Sequence, residues 1–125
     1  MNWPSATHAL LRIMTGFLFV PHGVQKLWGL GGAGPKEGAL ILIAGWIEVV
    51  GGALILLGWH TRWTAFLCSG LMAVAYFMAH ASGGFLPLLN RGEAAVLYCF
   101  IFLYLWASGS GDWSIDSWIA KRKRA

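Results

Sequence analysis

Apolar residues in this chain come in long runs separated by short polar turns. The runs cover 6–28, 38–58, 63–80 and 92–107. Each is close to the ~20 residues a helix needs to cross the hydrocarbon core of a bilayer. The separators carry turn chemistry: "GLGGAGPKEG" after the first run, "GWHTRW" after the second and "ASGGFLPLLNRG" after the third. The pattern predicts an all-α membrane protein, a bundle of four transmembrane helices. An even number of crossings places both termini on one side.

Charge chooses the side. The tail carries Lys121, Arg122, Lys123 and Arg124, and the second turn carries Arg62, against Lys36 and Arg91 in the other two connections. Because cytoplasmic segments carry the excess of Lys and Arg, both termini are expected in the cytoplasm. Trp3, Trp59, Trp63, Trp113 and Trp118 then fall at the inner interface and Trp28 at the outer one. After the last run, "SGSGDWSIDSWIAKRKR" predicts a short interfacial helix capped by Asp112 or Ser114, with Ile115, Trp118 and Ile119 on one face.

Composition agrees with this picture and narrows it. With 58% hydrophobic and 11% charged residues among 125, the chain is too apolar to face water and too short for more than one domain, residues 1–125. The net charge of +4 does not point to nucleic acid, because the basic residues concentrate in the tail and the aromatic residues lie mostly within apolar runs. The first run lacks the basic flank and cleavage site of a signal peptide and is expected to stay in the mature protein. The expected location is the bacterial inner membrane, multi-pass, in contact with lipid.

Ionisable side chains inside apolar runs are costly and mark an interior, a pathway or a site. Arg12, His22, Lys26, Glu48, His80 and Glu93 are the candidates. At 100° per residue, Arg12, Thr15, Phe19, His22 and Lys26 share an arc of about 80° on the first helix. Pro21 removes a backbone donor, which frees a carbonyl near Phe17 toward the same interior. Lys26 either joins that interior or snorkels to the outer interface.

Glu48 lies near the middle of the second run and needs a cation or a proton. Gly45, Gly51 and Gly52 flank its face, so a neighbouring helix can approach closely. At ~1.5 Å per residue, Arg12 and Glu48 lie about 10 and about 15 Å from the inner side. An Arg12 to Glu48 pair is therefore expected, either as a structural tie or as the floor of a site. His80 and Glu93 flank the third turn, level with His22 and Lys26. For Glu93, a helix N-terminal position gives an equally good account.

Cys68 and Cys99 are expected about 9 Å from the inner face and about 10 Å from the outer face, too far apart for a disulfide. That argues against a thiol relay of the vitamin K epoxide reductase kind. No E-x-x-H or similar ligand pair occurs, and no metal is expected.

Several stretches together resemble the DoxX family of small bacterial membrane proteins: "LLRIMTGFLFVPHGVQKLWG", "GWIEVVGGALILLGWHTR", "AYFMAH", "RGEAAVLY" and "SGSGDWSID". The resemblance implies a four-helix membrane bundle associated with respiratory or sulfur oxidoreduction. Members resemble the small subunit of a thiosulfate:quinone oxidoreductase, and others are linked to complexes with superoxide dismutase and a sulfurtransferase. The family's polar signature falls here on Arg12, His22, Gly23, Gln25, Lys26, Glu48, Gly52, His80, Gly92, Glu93 and Asp116.

Residues and resemblance lead to one expectation: a redox-associated subunit that binds a quinone or similar amphiphile in the outer half of the bundle. His22, His80 and Glu93 would handle protons, while Arg12, Gln25, Lys26 and Glu48 would hold the ligand. No motif encodes an electron carrier, so a partner oxidoreductase is expected, and self-association into a homo-oligomer stays open. Whether the chain is itself an enzyme stays open too. The alternatives are a small proton-coupled transporter using Glu48 and a non-catalytic assembly subunit.

Overall fold

The computed structural model describes residues 2–32 and 34–125, and no strand occurs among them. The elements are α1 (Trp3–Trp28), α2 (Ala39–Leu57), α3 (Thr61–Ala79), the single turn α4 (Pro87–Asn90), α5 (Glu93–Ser108) and α6 (Ile115–Arg124). The four apolar runs of the sequence become α1, α2, α3 and α5.

Local chemistry sets the ends. α1 starts earlier than the apolar run because Asn2 caps it: its side-chain oxygen accepts from the Ser5 amide at 3.0 Å, and Pro4 sits in the first turn. Gly29 and Gly58, at φ 74° and 68°, end α1 and α2 in the left-handed conformation that closes a helix. α1 runs unbroken through Pro21. At α6 the cap is Ser114, whose hydroxyl accepts from the Ser117 amide at 3.1 Å. Past Trp118, the Arg122 guanidinium lies 4.9 Å from the indole ring.

The long helices pack as two antiparallel hairpins. In the first, α1 and α2 touch backbone to backbone: a Cβ on Gly16 would stand 2.6 Å from the Gly52 carbonyl oxygen, and one on Gly23 would stand 2.5 Å from that of Gly45. Two glycines spaced by two helical turns thus bring α1 onto α2 closer than any larger residue allows. In the second hairpin, the Ser69 hydroxyl of α3 donates to the Cys99 carbonyl of α5 at 2.8 Å, and Phe66 meets Trp106. The hairpins join where Gly51 of α2 admits the Cys68 sulfur of α3. Phe19, Ile55, Ala65, Cys68, Met72, Ala95, Phe102 and Leu105 form the shared core.

Cys68 and Cys99 are both free thiols. The register of α5 differs from the one expected, since Cys99 sits level with Ser69, the neighbour of Cys68, and not in the far half of the bundle. Counting residues from the ends of the apolar runs misses this shift, because α5 and α3 differ in length.

Outside the core the surface is apolar. Phe17, Leu40, Phe66, Phe77, Leu97 and Phe100 are exposed on the helix exteriors. α2 and α3 are each long and apolar enough to cross a membrane, whereas α5 is apolar but only 16 residues long. α1 has the length, at 26 residues, but Arg12, His22 and Lys26 dilute its hydropathy.

Candidate functional site

The start of α1, the end of α6, the 58–60 turn and the 109–114 segment gather at one end of the helices, while residues 29–32, 34–38 and 80–92 lie at the other. The polar side chains inside the assembly sort between these ends.

Toward the connection end, Lys26 of α1 meets Glu48 of α2, and its ammonium donates to both carboxylate oxygens at 2.8 Å. The Glu48 side chain is 3% exposed and that of Lys26 26%. Lys26 therefore turns inward, and snorkelling is not its role. The close approach of α1 and α2 at Gly23 and Gly45 keeps the carboxylate 3% exposed, and its charge is met by the lysine. It is the ion pair found among the described residues.

Above the pair lies a cavity of about 240 Å³ lined by Phe19, His22, Lys26, Glu48, Met72, Ala75, His80, Arg91, Ala94, Ala95 and Tyr98. It draws on α1, α2, α3 and α5 and brings together His22, Lys26 and His80 of the four side chains expected to converge, without Glu93. His22 packs edge-on to Tyr98 with centroids 5.7 Å apart. The His80 Nδ1 stands 3.1 Å from the Asn90 carbonyl oxygen. Because a carbonyl only accepts, Nδ1 carries the proton, and Nε2 of the neutral ring is left as an acceptor.

The loop that closes the cavity is organised by Asn90. Its amide nitrogen donates to the Tyr76 hydroxyl at 2.9 Å and to the Gly84 carbonyl at 3.0 Å, and its amide oxygen accepts from the Gly92 amide at 2.8 Å. The next residue, Arg91, adopts φ 62°, a left-handed conformation uncommon outside glycine, and lines the cavity. It has no ion-pair partner among the described residues. With Lys26 and Glu48 cancelling, Arg91 gives the cavity a positive bias.

Three expected members stand apart. Gln25 and Glu93 are exposed and do not line the cavity; Glu93 is the first residue of α5, where its carboxylate complements the helix dipole. Arg12 does not pair with Glu48. It is fully buried, and its guanidinium donates to the carbonyls of Ile55 at 3.0 Å, Asp112 at 2.9 Å, Trp113 at 2.7 Å and Ser110. The 109–114 segment folds back over the helix ends and supplies oxygens that depth along a helix cannot reveal. Arg12 is thus a clamp on that segment and not the floor of the cavity.

Asp116 forms the second half of the same clamp. Its carboxylate accepts from the amides of His60 at 2.9 Å and Thr61 at 3.1 Å, capping α3 from a different helix. Its own amide donates to the Gly58 carbonyl at 2.9 Å. Of the cavity residues Arg91 and Tyr98, and of the loop beside it Asn90, escape a reading of the sequence. Arg91 counts there as a loop charge, and Asn90 and Tyr98 carry no charge to draw notice. Among the described residues no three His, Cys, Asp or Glu side chains gather as a metal site would require.

Helices clothed in Leu, Phe and Trp around an interior ion pair define an integral membrane protein. The chain belongs to the DoxX family, whose sequence profile matches residues 7–81. It is 40% identical to an uncharacterized protein of Haemophilus influenzae, over 91% of each chain. It is 31% identical to an uncharacterized membrane protein of Mycobacterium tuberculosis, over 99% of this chain and 92% of that one. CatD of Bacillus subtilis, provisionally named an oxidoreductase, is 26% identical over 92% of this chain and 88% of its own. No solved structure matches the chain.

Proposed function

We propose that this protein is a redox-associated subunit of the bacterial inner membrane that binds a quinone or similar small amphiphile in the cavity above Lys26 and Glu48. A partner oxidoreductase supplies or takes the electrons. In this reading α1, α2, α3 and α5 all cross the membrane, with both termini and α6 in the cytoplasm. The basic α6 and Arg62 at the terminal end support that orientation.

One observation carries the functional reading: two imidazoles, a phenol and a fixed ammonium surround a space of about 240 Å³ whose floor is an ion pair. That volume suits a single ring, being below the 300–1,000 Å³ typical of drug-sized sites. Conversion of a quinone to its quinol takes two electrons and two protons. With Nδ1–H held by the Asn90 carbonyl, His80 offers Nε2 to accept a proton from a quinol hydroxyl, and His22 is a second imidazole at the cavity that can carry one. Lys26 and Arg91 favour the oxygen that gains charge before it is protonated. Glu93, outside the cavity at the start of α5, is the exchange group on the outer side. The provisional name of CatD agrees with an oxidoreductase setting.

A proton-coupled transporter built on Glu48 has less support, because both carboxylate oxygens are already engaged by Lys26. Purification in mild detergent followed by mass spectrometry of co-purifying lipids and proteins tests the reading. A quinone near one per chain, lost in Arg91→Ala or His80→Ala, is expected; a cationic compound, or a partner protein with no quinone, overturns it. A reporter active only in the periplasm, fused after Ala125, is expected to stay silent.

A further inference from the structure

The polar cavity has an apolar annex. A groove of about 300 Å³ runs between α1 and α5, lined by Leu11, Met14, Thr15, Leu18, Ala94, Leu97, Tyr98 and Ile101. Ala94 and Tyr98 line both spaces, so the groove adjoins the cavity across these two residues. Its walls are two matching stripes, 11, 14, 15 and 18 on α1 and 94, 97, 98 and 101 on α5, each with the i, i+3, i+4, i+7 spacing of a helix contact face. Such faces ordinarily interlock. Along this stripe they do not, because α1 is bound along its length to α2, and α5 to α3, so the α1 and α5 backbones stand apart and meet through side chains on the core side, Phe19 against Tyr98 and Phe102. Leu11, Met14, Leu18 and Leu97 are exposed along the gap.

We infer that this groove receives the apolar tail of the ligand whose ring occupies the polar cavity, so that the ligand is a long-tailed amphiphile admitted from the lipid between α1 and α5. The inference rests on the function proposed above and names the ligand class it implies. Three features converge on it. The cavity holds a ring but not a chain; the groove adjoins it at Ala94 and Tyr98; and the groove runs from the cavity level back toward Leu11 and Ile101, the direction a tail takes from an outer-half headgroup to the bilayer centre. Tyr98 stands at the junction, packed against both Phe19 and His22, with centroids 5.1 and 5.7 Å away. Since lipid is as apolar as the groove, a tail gains there by close packing against a preformed surface and not by leaving water.

The test compares a benzoquinone carrying a decyl tail with the same ring lacking it, binding to the full chain in lipid nanodiscs, with concentrations taken per lipid so that partitioning cancels. The parent is expected to favour the tailed compound by roughly three- to ten-fold. In Leu97→Trp, which fills the groove, that preference is expected to fall to about one while affinity for the bare ring changes less than two-fold. Leu103→Trp, on α5 but outside the groove, is expected to behave as the parent. Equal binding of both compounds by the parent, or a preference that survives Leu97→Trp, overturns the groove assignment and leaves the quinone reading standing. Failure of the parent to bind either ring overturns both. If Leu97→Trp does not fold, Leu97→Phe and Met14→Phe fill less of the groove and carry the same comparison.

Discussion

Lys26 and Glu48 hold one another across the α1–α2 interface, one ammonium on two carboxylate oxygens at 2.8 Å, and they share the burial unequally. That inequality predicts an order of stabilities. Lys26→Met strands a carboxylate that is 3% exposed, and breaking a buried pair this way costs about 3–5 kcal/mol. Glu48→Gln strands an ammonium that is 26% exposed and can turn toward solvent, for a loss of ~1–2 kcal/mol. Lys26→Met with Glu48→Leu removes both charges and is expected to return within about 1 kcal/mol of the parent. Thermal melts in one detergent give the order, and the reverse order would mean the carboxylate is not the sealed partner.

Arg12 makes a separate prediction, because its partners are carbonyls and not Glu48. Arg12→Lys loses the planar fork that reaches Ile55, Asp112 and Trp113 together, and a loss of ~3 kcal/mol is expected from several charge-assisted bonds. Hydrogen exchange should rise across 109–116 and leave the cavity loop unchanged. Arg12→Leu combined with Glu48→Leu should be no more stable than the sum of the single changes. Recovery in that double variant would restore the Arg12 to Glu48 pair.

For Asp116 the expected effect is that of a lost helix cap. Asp116→Ala removes both acceptors from the first amides of α3, for ~0.5–2 kcal/mol, whereas Asp116→Asn keeps one acceptor and costs less. Amide exchange at 60–64 should quicken in proportion. An Asp116→Ala protein with unchanged exchange there would show that another group takes over the cap.

The glycines of α1 can be told apart from an ordinary helix glycine. Gly16→Ala and Gly23→Ala place a methyl group 2.5–2.6 Å from α2 backbone oxygens or nitrogens, so the first hairpin must open and the melting temperature should drop by several degrees. Gly70→Ala meets nothing within 4 Å on α3 and is expected to be neutral, or stabilising by up to ~1 kcal/mol through helix propensity. Similar behaviour at all three positions would place the α1–α2 contact elsewhere.

What could be read from the sequence follows from how far each signal reaches. Apolar runs and turn residues act locally, and they locate α1, α2, α3 and α5 to within a few residues. Glu48 also stands out locally, as a carboxylate amid glycines in an apolar run. Its partner is a tertiary fact: depth along two helices makes Arg12 and Lys26 comparable candidates, and only the return of residues 110–113 over the helix ends, which takes Arg12, decides for Lys26. Arg91 shows the same limit in reverse. A loop arginine reads as a charge in water, and only the Asn90 side chain, bonded to Gly84 and Gly92, sets this one at the rim of the cavity.

The clamp at the terminal end also sets an order in time. Arg12 is made well before its carbonyl partners at 110, 112 and 113, which lie 98 to 101 positions further along the chain. During synthesis the guanidinium must wait, served by water or lipid headgroups, until the last apolar helix has emerged. A chain cut before residue 110 leaves the guanidinium with the Ile55 carbonyl alone, so the full set of bonds to Arg12 forms only once a segment nearly a hundred residues downstream has arrived.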